Sequence, residues 1–249
     1  MITAGLRQLA RAMPPSARTR VHDMADRVLE PFGSVLKAAR PTNLVALTFD
    51  DGPDPEVTPR ILDLLQRRGV SASFFVLTDL AANHPDLIRR MVAEGHEVAL
   101  HCDRHDRLTR MSRSEMGTRI RVAHELLEKI AGVPVTRFRP PFGAQNLSVI
   151  GVANRLGLET VVWAPSAFEW QERTAEAAAQ RLLDTVKGGE IALLHDGFET
   201  PPGDPHPPFD RAELAERVID GLERMGLRPT SVAHMIEAAG AKKTFWVRT

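Results

Sequence analysis

Val45-Ala46-Leu47-Thr48-Phe49-Asp50-Asp51-Gly52-Pro53 joins an apolar, β-prone run to two adjacent carboxylates and a Gly-Pro turn. A buried strand has no physical reason to finish on two acids unless a charged group waits at its end, because burying an unpaired charge is costly. Adjacent strand residues face opposite ways, but Gly52 and Pro53 break the pleat just there, so both carboxylates can turn into one cleft. Taken alone, Asp-Gly is also the ordinary chemistry of a turn leading into a helix cap. The rest of the chain decides between the two.

Outward from this stretch, strand-like and helix-like segments alternate. Strand 44–49 is followed by helix 57–68, with Ile61, Leu62, Leu64 and Leu65 as its buried stripe. The alternation continues through strand 71–77, helix 85–94, strand 97–100, helix 113–131, strand 135–139, helix 147–156, strand 158–163, helix 174–187, strand 190–194, helix 211–225, strand 228–230 and helix 231–239. These β–α units have strands too apolar to be half exposed, which predicts a parallel sheet covered by helices. An open doubly wound sheet and a closed barrel both satisfy that pattern. Polar residues sit where strands end: Asp50, Asp51, His101, Arg139, Ser166 and His195. So many strand ends converge only at the C-terminal mouth of a barrel. A distorted (β/α) barrel of about seven strands is therefore expected over residues 41–249. Residues 1–40 read as a helical extension, with Leu6, Leu9, Ala10 and Met13 at helical spacing, a break at Pro14-Pro15, and Val21, Met24, Val28 and Leu29 resuming it.

A chain of 249 residues with 43% hydrophobic content can bury a sizeable core as one large domain or two small ones. Basic and acidic residues number 32 each, so no overall charge argues for a nucleic acid partner. The one cysteine, Cys102, cannot form an intrachain disulfide and fits a reducing compartment. No window is long enough for a membrane span, and Arg7 and Arg11 interrupt every hydrophobic run near the N-terminus. A cytoplasmic protein is expected.

His101-Cys102-Asp103-Arg104-His105 places two imidazoles four residues apart. On a helical turn that spacing puts both on one face, where they can grip a metal. Such a pair is more often two surface histidines, but this one ends an apolar strand, in phase with Asp50-Asp51 on another. Two histidines and a carboxylate leave a position open for water or substrate, as in a catalytic site. The same three ligands also suit non-haem iron oxygenases.

At this point the sequence resembles the polysaccharide deacetylases with a NodB-homology domain, carbohydrate esterase family four. The first motif is similar to Thr48-Phe49-Asp50-Asp51-Gly52, the second to His101-Cys102-Asp103-Arg104-His105, the third to Arg139-Pro140-Pro141-Phe142-Gly143 and the fifth to Leu193-Leu194-His195. They occur in the family's order and span residues 43–238. The resemblance implies a distorted barrel and a divalent metal, usually zinc (Zn2+), held by Asp51, His101 and His105. It implies Asp50 as catalytic base, Arg139 as its anchor and the main-chain N–H of Phe142 facing the oxyanion. It further implies His195 as general acid, with Leu193 and Trp170 lining a pocket for the acetyl group. The expected substrate is an N-acylated carbohydrate.

The chemistry is consistent on its own terms. Amide hydrolysis needs an activated water, oxyanion stabilisation and a proton for a poor leaving group. An unligated carboxylate, an arginine holding it and a histidine across the site fill the protein's share of those roles. One departure stands out. The fourth motif normally carries an aspartate four residues before its tryptophan, and here Ser166 precedes Trp170. Ser166 cannot supply the charge that raises the pKa of the acid histidine, so protonated His195 is expected to be less favoured unless Glu169 or Asp196 supplies that charge through a different geometry. Two alternatives follow: an amidase or deformylase acting on a non-sugar or sugar-nucleotide amide, and a catalytically weak carbohydrate-binding relative. The loop 197–210, with five prolines directly after His195, reads equally as a solvent loop or a substrate-selecting lid.

Overall fold

The computed structural model describes residues 33–198 and 207–244. Its central strand is the quoted stretch: β2, Leu44–Asp50, is buried at every position. One edge of β2 carries β3 (Ser73–Val76) against its C-terminal half and β8 (Arg228–Thr230) against its N-terminal half. The other edge carries β7, Ile191–His195, with Asp50 opposite His195. Beyond β3 the sheet continues through β4 (Glu97–Leu100), β5 (Arg137–Phe138) and β6 (Glu159–Thr160), every pairing parallel.

The gap between β6 and β7 is closed by a segment for which the sequence predicted helix. Ser34–Ala38 is a strand, β1. It bridges Val161 in parallel through Val35 and reaches the residue before β7 through Lys37 and Glu190. The Val162 N–H donates to Val35 O at 2.8 Å, and the Ala38 N–H donates to Gly189 O at 2.7 Å. Further up, Ser166 bridges Leu193. The sheet thus curls back on itself, and the helical reading of residues 1–40 is corrected from Ser34 onward, while residues 1–32 lie outside the described residues. Five residues are too few to show a period, and β1's antiparallel partner is β9, Ala241–Thr244, at the far end of the chain. The sequence reading did not anticipate β9.

Between the strands run α1 (Thr58–Arg68), α2 (Thr78–Asn83), α3 (Pro85–Ala93), α4 (Arg113–Ala131), α5 (Leu147–Arg155), α6 (Ala175–Leu183), α7 (Arg211–Arg224) and α8 (Val232–Ala239). The six-residue α2 was not predicted, being too short to carry a periodic stripe. β5 and β6 are shorter than their predicted ranges.

Strand alternation sorts side chains into two layers. Val45, Leu47, Phe49, Phe74, Val76, Val98, Leu100 and Phe138 join the outer core against the helices. Ala46, Phe75, Ala99 and Ile191 join Val35 and Val161 in the barrel interior. Val232, Met235 and Ala239 of α8 belong to that inner cluster, so α8 plugs one end. Its N-terminus is tied there, the Val232 N–H donating to Ser73 Oγ at 2.8 Å and the Ala233 N–H to Glu97 Oε2 at 2.9 Å. A carboxylate at a helix N-terminus is the favourable placement, and Arg137 pairs with the same glutamate. With one end closed, the inward positions at the other end are left for chemistry: Asp50 follows Ala46 and Thr48, His101 follows Ala99, and His195 follows Ile191 and Leu193.

Candidate active site

Asp50 closes β2 as an inward, almost fully buried carboxylate. Arg139, fully buried one residue past β5, donates from Nη1 to Asp50 Oδ1 at 2.5 Å and to Thr48 Oγ1 at 2.9 Å. Its guanidinium carbon lies 3.9 Å from the Phe75 ring centre, so an aromatic face covers the buried cation. The pair is a rigid mount for one carboxylate. It was legible in the sequence only as a role implied by resemblance.

Asp51 should point the other way if the strand continued, but its backbone is left-handed, with φ 70°. That turn brings its carboxylate into the same mouth. Two loops fix it from behind. A Cβ on Gly52 would sit 2.1 Å from the Asp196 carboxylate, and one on Gly197 would sit 2.1 Å from Asp51 O. Only glycines allow segments 51–52 and 196–197 to pack back to back. Asp196 is buried beside them, accepting a hydrogen bond from Thr58 at 2.6 Å. Burial pushes its carboxyl up to about 7.

His101 and His105 also meet at this mouth, with ring centres 5.4 Å apart. Their approach does not come from a helical turn, as the four-residue spacing suggested. The segment is irregular, and Cys102 between them is left-handed, with φ 76°. Cys102 itself is buried in the outer core and donates to Asp103, away from the two imidazoles. His101 Nδ1 lies 2.7 Å from Arg139 O. A carbonyl only accepts, so Nδ1 carries the proton and Nε2 of the neutral ring bears a lone pair.

That lone pair faces an anion. Asp51 Oδ1 lies 3.2 Å from His101 Nε2 and 3.6 Å from His105 Nε2. Asp51 Oδ1 and His101 Nε2 are both buried without a hydrogen-bond partner. Burial pushes His105 down to about 4, so its ring is neutral at ordinary pH. Burial acts to raise Asp51, but the contact with His101 and the fields of His105 and His101 outweigh it and hold the carboxyl well below the usual range. One ligand atom from each of the three residues falls within 4.8 Å of the others. Two imidazoles and a carboxylate converging in this way form a donor set that fits a divalent metal. The Nδ1–carbonyl bond is the outer support that fixes a ligating histidine's tautomer.

Across the mouth, His195 ends β7. Its backbone N–H donates to Glu169 Oε1 at 2.9 Å, and its Nδ1 lies 3.2 Å from Glu169 Oε2. Glu169 is fully buried. It opens the 3-10 turn Glu169–Gln171, which follows a left-handed Phe168 with φ 49°. Burial alone would lower the His195 pKa, but the Glu169 carboxylate, aided by Asp51 and Asp50, raises it to about 9. Of the two acids open as substitutes for the missing charge, Glu169, three residues beyond Ser166, is the one at the His195 ring. Ser166 instead accepts the Phe168 N–H at 3.3 Å and shapes the turn that delivers Glu169. The sequence signal was an acid within the run Ala167-Phe168-Glu169-Trp170.

Two rings enclose His195: Trp170 edge-on at 5.5 Å and Phe198 stacked at 5.2 Å. Phe198 was not singled out in the sequence. Phe142, left-handed with φ 62°, stands partly exposed at the rim with its ring 4.1 Å from His105. Leu193 lies one inward step below His195 and is paired across to Thr48. All nine residues singled out by sequence thus meet at one mouth. Residues 199–206, the middle of the proline-rich loop read as a lid, lie outside the described residues.

The polysaccharide deacetylase pattern matches residues 37–161, which contain Asp50, Asp51, both histidines and Arg139. The chain belongs to the polysaccharide deacetylase family. It is 36% identical over 192 residues to the chitooligosaccharide deacetylase of Bradyrhizobium sp. (strain ANU 289), covering 74% of this chain and 87% of that protein. It is 34% identical over 193 residues to the peptidoglycan-N-acetylglucosamine deacetylase PgdA of Listeria monocytogenes serotype 1/2a, covering 75% of this chain but only 41% of that longer protein. Among solved structures, the peptidoglycan deacetylase PdaC of Bacillus subtilis superposes with a TM-score of 0.69 at 30% identity, covering 80% of this chain and 91% of the other. The fold is the curled barrel expected, members of this family are metal-dependent, and Asp51, His101 and His105 form a possible metal site.

Proposed function

We propose that this protein is a metal-dependent hydrolase that removes an N-acetyl group from a sugar or oligosaccharide, with zinc as its metal. The observation that carries this reading is the meeting of two electrically distinct sets at one mouth. Asp51, His101 and His105 form a cation site. Asp50 and His195 flank it, each held by an opposite charge. An ion held by the three ligands would supply Lewis acidity, activating water and polarising the acyl carbonyl.

The chain's own groups supply the proton traffic. Asp50, oriented by Arg139, accepts a proton from the attacking water. The main-chain N–H of Phe142 is the candidate donor to the developing oxyanion. His195 gives its Nε2 proton to the departing amine as the C–N bond breaks, while Nδ1 stays on Glu169. Trp170 and Leu193 form the wall for the acetyl methyl. The reading as a weak binder rested on Ser166, and Glu169 beside His195 weighs against it. The names of the relatives point to N-acetylglucosamine-containing glycans. Cys102 as the single cysteine fits a reducing compartment, and a soluble cytoplasmic oligosaccharide is part of this proposal, checked by cell fractionation.

The test is acetate release from N-acetylglucosamine oligomers by protein stripped of metal and reloaded with zinc. Release that depends on added metal supports the reading. No release from N-acetylated oligomers, with acid freed only from a formylated or non-sugar amide, would replace it with the amidase alternative.

A further inference from the structure

We propose that the mouth opens onto a basic strip formed by Arg107, Arg110, Arg113 and Arg155, and that the glycan it takes carries carboxylate or other anionic groups beside its N-acetylated sugar. This deepens the deacetylase reading above and rests on it. The strip starts at the site itself. The Arg107 guanidinium carbon lies 4.5 Å from the centre of the Phe142 ring, and that ring is 4.1 Å from the His105 imidazole. Arg107 is half-buried and Phe142 is 43% exposed, so the stacked pair forms part of the rim that a substrate must cross. Stacking holds the guanidinium by its face and leaves its N–H donors for a planar anion.

From there basic residues recur every third position, Arg107, Arg110 and Arg113, along the 3-10 turn Leu108–Arg110 and into α4. That turn lies against α5, which brings the fourth arginine. Arg113 Nη2 and Arg155 Nη1 lie 3.9 and 4.0 Å from the place a Cβ would take on Gly151, so two exposed cations approach one point of the surface. Among the described residues none of the four arginines has a carboxylate partner. The acids around them are taken, Asp103 and Asp106 by Arg119 and Asp79 by Arg104. Glu115, in the first turn of α4, pairs with none of them. The chain as a whole carries 32 basic and 32 acidic residues, so this stretch is a local asymmetry beside the mouth. Like charges held close repel. An anion lying along them relieves that repulsion, and the arginine fork suits a carboxylate in particular. Continuity with His105 and Phe142 favours a glycan already seated in the site over a membrane or a nucleic acid, since neither offers an acetamide to the mouth.

Two oligomers of equal length test this: N-acetylglucosamine alone, and N-acetylglucosamine alternating with glucuronate. With zinc-loaded parent in low salt, kcat/KM for acetate release should be about tenfold or more higher on the anionic oligomer. Raising NaCl from about 0.05 M to about 0.5 M should erase most of that advantage by screening. Arg107→Gln should lower the ratio of the two kcat/KM values about tenfold, through KM more than kcat. The double change Arg113→Gln/Arg155→Gln, at exposed positions, should lower it in the same direction. A ratio near one in the parent, or a high ratio that survives both variants, would overturn the proposal. Calorimetry of the anionic oligomer with metal-loaded Asp50→Asn protein reads the strip without turnover. Salt-sensitive binding there that is lost on adding Arg107→Gln, with no acetate released from either oligomer by the parent, would sink the deacetylase reading and keep the strip. Phosphatidylglycerol vesicles or single-stranded DNA held by these arginines, with the anionic oligomer left unbound, would give the strip to another partner and end the proposal.

Discussion

Replacing Gly197 by alanine perturbs the metal site without touching a ligand. The added Cβ would stand 2.1 Å from Asp51 O, 2.5 Å from its carbonyl carbon and 2.8 Å from Gly52 N. All three are backbone atoms, which no rotamer change relieves. Ordinary contact requires more than 3 Å, so the two segments must separate by roughly 1 Å. Asp51 is left-handed at φ 70° and has little freedom to absorb that shift. Overpacking of this kind costs about 1–3 kcal/mol of stability. The functional loss should be larger, because a misplacement of ~1 Å at reacting groups can cost about 10²-fold in rate. Gly69→Ala is the control for a glycine replacement without crowding. It places alanine at positive φ, 62°, which Gly197 does not have, and nothing lies within 4 Å of the new Cβ. It should lose about 1–2 kcal/mol, the cost of the left-handed backbone, and keep full turnover. Thermal unfolding, zinc affinity by competition with a chelator and acetate release for the two variants separate the effects. Parental metal affinity and turnover in Gly197→Ala would show that the paired loops do not hold Asp51 in place.

Further expectations concern the site itself. His101→Ala and His105→Ala should each lose the bound ion or hold it far more weakly by elemental analysis. Full occupancy in both would remove the ligand assignment. Asp50→Asn should keep the metal yet lose at least ~10²-fold in rate, whereas Asp51→Asn should lose the metal as well; normal turnover in Asp50→Asn would mean another group is the base. His195, whose folded pKa is raised to about 9 from an unfolded value near 6.5, should contribute stability that is complete below pH 6.5 and lost as pH rises through 9. Chemical denaturation at pH 6 and 9.5, parent against His195→Gln, should show that difference shrinking at the higher pH. A constant difference would mean that the proton is not stabilised by folding.

Much of the architecture was written in local pattern. Apolar runs ending in Asp50-Asp51, His101 and His195 betrayed parallel strands with a working end, because a buried strand places a charge only where something uses it. The helices α1 and α4 followed from their spacing alone. The residues bearing the chemistry were recognisable by type and order, since metal ligation and proton transfer admit few side chains. Sequence did not reveal how they are brought together. The approach of His101 to His105 depends on a left-handed Cys102, and the turning of Asp51 on glycines from two distant loops; such backbone choices are settled by packing across the fold. The closure of the barrel belongs to Ser34–Ala38, whose partners at Val161, Glu190 and Ala241–Thr244 are remote in sequence, so no local period could announce it. Glu169 is the sharpest case. As a residue type it is an ordinary acid in a turn. Only the tertiary structure buries it completely and sets both its oxygens on His195, where the low dielectric makes it the leading charge among the carboxylates that favour the proton on the ring.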